Sequence, residues 1–98
     1  MAGKIYKFWR TTKINEAWYQ LSETEQNDHL AEVYAAVRQV GGKNRFMSRS
    51  AWANNCWEYS GLQEFPDVEA LMKHRELQDE LDHFRYFDDE AWLAASYP

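Results

Sequence analysis

His74 is the residue in this sequence best suited to moving a proton. It falls between Ala70 and Leu77 on the apolar stripe of a helix that opens at Pro66-Asp67. Imidazole titrates near neutrality, and burial on such a stripe lowers its pKa and leaves a base. The competing reading is a core histidine hydrogen-bonded to a backbone carbonyl or a Tyr hydroxyl. Tyr59 and Arg49, both on strands, are the groups expected to orient an oxygen beside His74, the guanidinium by clamping a carboxylate or enolate. Tyr6, Phe8, Trp52, Trp57 and Leu77 are the expected lining for an apolar or aromatic substrate. The same rings are equally suited to a dimer interface.

The remaining polar candidates are weaker. His29 is read on the polar side of the first helix, and His83 at a helix–strand junction beside Asp82. No two histidines stand three or four residues apart, and Cys56 is the single cysteine, so a zinc site within one chain is not expected. A lone axial histidine is the most the chain offers to haem, and nothing else supports haem; no cofactor is expected. Arg10 and Arg45 on strands read as partners of nearby acids such as Glu58 or Glu64. The runs Glu76-Asp79-Glu80-Asp82 and Asp88-Asp89-Glu90 read as solvated faces.

These residues sit on a 98-residue chain, the size of one domain spanning residues 1–98. Aromatic residues make up 16%, with five Trp and six Tyr, too many for one small core. Some rings must line a cleft or a second copy of the chain. A net charge of −5 argues against nucleic acid and anionic membrane as partners. One cysteine excludes an internal disulfide, and the first ten residues lack a secretory apolar core. A cytoplasmic protein is expected.

The elements that must position the candidates follow from patterning. Lys4 to Thr12 reads as a first strand with large apolar groups on both faces, so both faces need cover. Ile14 to Leu21 reads as a short helical turn that folds Trp18 and Leu21 inward. Ser22 and Glu25 make a capping box for a helix running to about Val40, where Gly41-Gly42 stops it. Arg45 to Ala53 and Cys56 to Phe65 read as a hairpin around Asn54-Asn55, with Gly61 marking a bulge or a close approach. Pro66-Asp67 opens the His74 helix, and Phe84 to Asp88 reads as the last strand. The order β-α-β-β-α-β is the ferredoxin-like α+β arrangement: a four-stranded antiparallel sheet with both helices on one face. Aromatics on the bare face favour pairing of two sheets into a barrel, hence a homodimer.

The aromatic third strand, the stretch Glu64-Phe65-Pro66-Asp67-Val68-Glu69-Ala70, His74, and Phe84-Arg85-Tyr86-Phe87 together resemble the dimeric α+β barrel superfamily. Ala17-Trp18-Tyr19-Gln20-Leu21-Ser22 is similar to its darcynin-type members. The resemblance covers about half the chain. It implies a cleft between sheet and helices, with His74 matching the helix histidine that faces the cleft in several superfamily enzymes. It further implies a small-molecule enzyme or binder, monooxygenase-like without a cofactor or polyketide-cyclase-like. A Tyr/His pair would then be Tyr6 or Tyr59 with His74. The Asn-Trp-His set of the haem-degrading members is not matched, since the first strand holds no Asn. The alternative is a non-catalytic homodimeric binding or interaction domain.

Overall fold

β1 (Ile5–Ile14) is one of the two central strands of a four-stranded sheet, in a computed structural model that describes residues 3–49 and 59–96. The other elements follow as α1 (Glu16–Tyr19), α2 (Glu23–Gln39), β2 (Lys43–Arg49), β3 (Tyr59–Phe65), α3 (Val68–Glu80), α4 (His83–Tyr86) and β4 (Phe87–Ala95). Strand order is β2-β3-β1-β4, and every described pairing is antiparallel. This is the ferredoxin-like α+β topology expected from patterning, with two short helices added.

Local signals set the long helices. The Ser22 hydroxyl accepts from the Glu25 N–H at 3.1 Å, and the Glu25 carboxylate accepts from the Ser22 N–H at 3.0 Å. α2 stops at Gly41, whose φ of +82° suits glycine, while the Gly42 N–H donates to the Val37 carbonyl. Asp67 caps α3 by accepting from the Ala70 N–H at 2.8 Å. The helices press Val33, Ala36 and Val37 of α2 toward Phe65 and Phe87 on the sheet, and Trp18 of α1 closes one end with its ring 4.7 Å from that of Phe87.

The last strand begins later than patterning predicts. Phe84-Arg85-Tyr86, expected as its start, instead forms α4, and β4 begins at Phe87. Asp82 ends α3 in the left-handed region, at φ 58°, which Asp tolerates better than most residues. The chain then turns once more as helix, and the Asn15 N–H holds the Tyr86 carbonyl at 2.8 Å. β2 begins at Lys43, two residues earlier than read. Trp52, the Asn54-Asn55 turn, Cys56 and Trp57 lie outside the described residues.

The two faces of the sheet differ. Lys7, Trp9 and Thr11 point to the helices, so Tyr6, Phe8 and Arg10 take the other face. There the register lines up Phe46, Leu62, Phe8 and Trp92 as one row across all four strands. Phe46, Phe8 and Trp92 are 54%, 45% and 52% exposed. Ion pairs flank this row: Arg10 grips Glu90 at 2.6 and 2.9 Å, and Arg45 with Lys4 holds Glu64. Among the described residues no helix is long and apolar enough to cross a membrane.

Candidate functional site

Between the helix-facing side of the sheet and the helices lies a cavity of about 230 Å³. Its floor comes from cross-strand register. One row carries Asn44, Gln63 and Lys7; the next carries Met47, Gly61, Trp9 and Ala91; the third carries Tyr59, Thr11 and Asp89. The walls are mostly apolar, with Leu30, Val33 and Tyr34 from α2, Trp18 from α1, and Phe84 and Phe87 from the α4–β4 segment. Arg75 and Gln78 of α3 and His83 of α4 supply the other polar groups.

A hydrogen-bonded chain runs along one side. The Thr11 hydroxyl donates to Asp89 at 2.7 Å, the other Asp89 oxygen meets His83 Nε2 at 3.2 Å, and His83 Nδ1 meets His29 Nε2 at 3.2 Å. The carboxylate can only accept, so His83 carries its proton on Nε2. In that tautomer Nδ1 of His83 is the acceptor and His29 Nε2–H the donor. The two imidazole planes lie nearly parallel, at 10°, as a nitrogen-to-nitrogen hydrogen bond between the rings favours. Burial lowers the His29 pKa, and His83 beside it adds to the effect. Histidines 54 residues apart in sequence thus form one buried unit. This corrects the reading of His29 as a polar-face residue, of His83 as the partner of Asp82, and of Asp89 as solvated.

A second group of buried polar atoms has no partner among the described residues: Oε1 of Gln63, Oε1 of Gln78, Nε1 of Trp9, and both ring nitrogens of His74. Gln63 retains one bond, from its amide nitrogen to Asn44 at 3.3 Å. His74 is fully buried with its ring 5.1 Å from that of Phe65, and it does not line the cavity. Burial, with Lys7 and then His83 adding charge repulsion, lowers its pKa to about 4.

Of the residues singled out from sequence, Tyr59 lines the cavity and Arg49 ends β2 in register with it. His74 is sealed behind the wall. Tyr6 and Phe8, expected in the cleft, lie on the opposite face of the sheet. Leu77, also expected there, sits in a shallow hollow between α2 and α3 with Ala36 and Leu81. Arg45 pairs with Glu64, as one reading of it expected, and holds that carboxyl below its ordinary pKa. Patterning missed Lys7, Thr11, Gln63, Gln78 and Asp89. The alternation Lys7-Trp9-Thr11 was a usable signal, but aromatic rings on both faces of β1 left its inward side undecided. Among the described residues no three His, Cys, Asp or Glu converge to hold a metal ion.

The fold and its cavity define a ferredoxin-like α+β domain with one covered and one bare sheet face. No family model and no curated protein matches the sequence. The chain is similar in structure to RPA0582 of Rhodopseudomonas palustris, described as a protein of unknown function, at a TM-score of 0.62 and 12% identity over 100% of this chain and 85% of that one. A methylated form of RPA0582 matches at a TM-score of 0.68, again at 12% identity, over 100% of this chain and 84% of that one. Similarity at this identity concerns the fold, which by itself carries no function.

Proposed function

We propose that the chain binds a small apolar or aromatic molecule in the cavity between sheet and helices. The observation that carries this reading is the cavity itself: a walled, largely aromatic space on a polar floor, in a protein too small to leave such a space unfilled at no cost. Monooxygenase-like or cyclase-like chemistry, if the protein carries it, runs through Thr11 and Asp89 rather than His74. Asp89 lines the cavity and is backed by His83 and His29 as a proton path. Both His83 nitrogens are already bonded, which favours binding over base catalysis by that ring. The test fills the space. Leu30→Trp is expected to weaken binding of a neutral two-ring probe, naphthalene-2-methanol, by more than about tenfold in calorimetric titration, with the circular dichroism spectrum unchanged. A probe that binds Leu30→Trp as well as the parent chain does not use this cavity.

A second reading, a non-catalytic homodimeric module of the dimeric α+β barrel or darcynin type, is favoured by the exposed row Phe46–Leu62–Phe8–Trp92. Its occupant would be a second copy of the chain. A twofold interface needs a self-complementary patch, and this row is apolar with the carboxylates flanking it, Glu90 and Glu64, already held by Arg10 and by Arg45 with Lys4. Phe8→Asp is expected to raise the dimer dissociation constant by more than about a hundredfold while preserving the fold, since an unpaired charge would enter the centre of the contact. Sedimentation of parent and variant checks this, and a parent chain that stays monomeric at high concentration rules the dimer out. Both readings can hold together, because ligand and second copy would use opposite faces of the sheet.

A further inference from the structure

The cavity floor holds a cation without a counter-ion. Lys7 sits in the middle of the sheet between Gln63 of β3 and Leu93 of β4, and among the described residues no carboxylate lies within ion-pair distance of its amine. The groups that face it from the surrounding elements are Asp89 of β4, Arg75 and His74 of α3, and His83 of α4. Asp89 is already committed to Thr11 and His83. His74 is neutral at ordinary pH and offers the ammonium no counter-charge. Arg75 adds a second positive charge at the wall, where its guanidinium lies 4.4 Å from the Phe84 ring centre and meets Asp79 at 3.4 Å. The lining therefore carries two cations against one carboxylate that is already spoken for. Burial holds the Lys7 amine below its ordinary pKa; Asp89 opposes that shift and Arg75 adds to it.

We infer that the ligand is a small aromatic anion, one or two rings bearing a carboxylate or an equivalent anionic oxygen, with the anion at Lys7 and the rings against Trp18, Phe84 and Phe87. This rests on the cavity being a binding site and goes further in naming the ligand's chemical class. Three features agree on it. A half-buried ammonium is stabilised most by a charged acceptor, which also relieves its repulsion with Arg75. The cavity lies at the small end of ligand sites, which suits one or two rings. The walls that α1, α2 and the α4–β4 segment supply, Trp18, Leu30, Val33, Phe84 and Phe87, offer ring faces and aliphatic groups, which suit an apolar body.

The test compares 2-naphthoate with its neutral isostere 2-naphthamide by isothermal titration of the full chain near neutral pH. The carboxylate is expected to bind at least about tenfold tighter, the scale of one charge-assisted hydrogen bond. Lys7→Met keeps most of the aliphatic stem and is expected to abolish that preference while leaving naphthamide affinity nearly unchanged. Lys7→Arg is expected to keep the preference, and it decides the matter should Lys7→Met fail to fold. Naphthoate binding to the parent chain is expected to weaken as pH rises through the lowered Lys7 pKa, because the ammonium is lost there. Equal affinities for the two probes, or a preference that survives in Lys7→Met, overturns the anion assignment and leaves the cavity reading standing. Failure of both probes to bind overturns both.

Discussion

Acidification from about pH 6.5 to about pH 4 is expected to remove roughly 3 kcal/mol of folding stability through His74 alone. In the folded chain burial holds this imidazole at a pKa of about 4, against 6.5 for the free group. Above pH 6.5 it is neutral in both states and stability does not depend on it. Between 6.5 and 4 the unfolded chain takes up a proton that the folded chain refuses, so stability falls with pH; below 4 both states are protonated and the loss levels off. His29, also lowered by burial, acts in the same direction. The carboxylates with depressed values, Glu64 beside Arg45 and Glu25 in its capping box, lose their contribution only as pH falls below 4.5, so the limb between 6.5 and 5 belongs to the histidines. His74→Leu removes two buried nitrogens that have no partner among the described residues and fills a similar volume. It is expected to stabilise the fold by about 1–2 kcal/mol near neutral pH and to flatten most of the acid limb. Urea unfolding at a series of pH values checks both effects. A variant that keeps the parent's acid slope places the proton uptake elsewhere. Ligand affinity is expected to survive this change, because His74 does not line the cavity.

Gly61→Ala is expected to cost about 2–3 kcal/mol and to lower the melting temperature by more than about 8 °C. A Cβ built at Gly61 falls 2.8 Å from the Phe46 carbonyl oxygen and 2.9 Å from Trp9 Nε1. The carbonyl belongs to β2 and cannot retreat without opening the ladder in which Met47 faces Gly61 and Phe46 faces Leu62. The indole lines the cavity, so its retreat would take up part of that space. The double variant Gly61→Ala, Trp9→Phe is expected to recover part of the loss, since it removes the ring edge but not the carbonyl clash. Thermal unfolding of the three variants measures this. An additive double variant would mean that the methyl group never meets the indole.

Helix starts and stops were legible because their determinants lie within a few residues of one another. Ser22 with Glu25, Asp67 with Ala70, and Gly41 after Val40 each satisfy orphan backbone groups without help from a distant part of the chain. The element order then implied the split arrangement and its antiparallel sheet, and Gly61 announced a close approach. The inward face of β1 was not legible, since Phe8 and Trp9 are equally suited to either side. Nor was α4, whose aromatic run favours a strand until the left-handed Asp82 and the bond from Asn15 to Tyr86 turn it into helix.

The candidate site was the least visible part, for a physical reason. Composition and local pattern determined that this chain forms one sheet with two capped helices and a surplus of aromatic rings. Only the tertiary structure decided what faces what. Strand register placed Lys7 beside Gln63 and Thr11 beside Asp89, and helix packing brought His29 of α2 against His83. Such contacts join segments far apart in the chain, and alternation reveals that a strand has two faces without saying which one the helices cover.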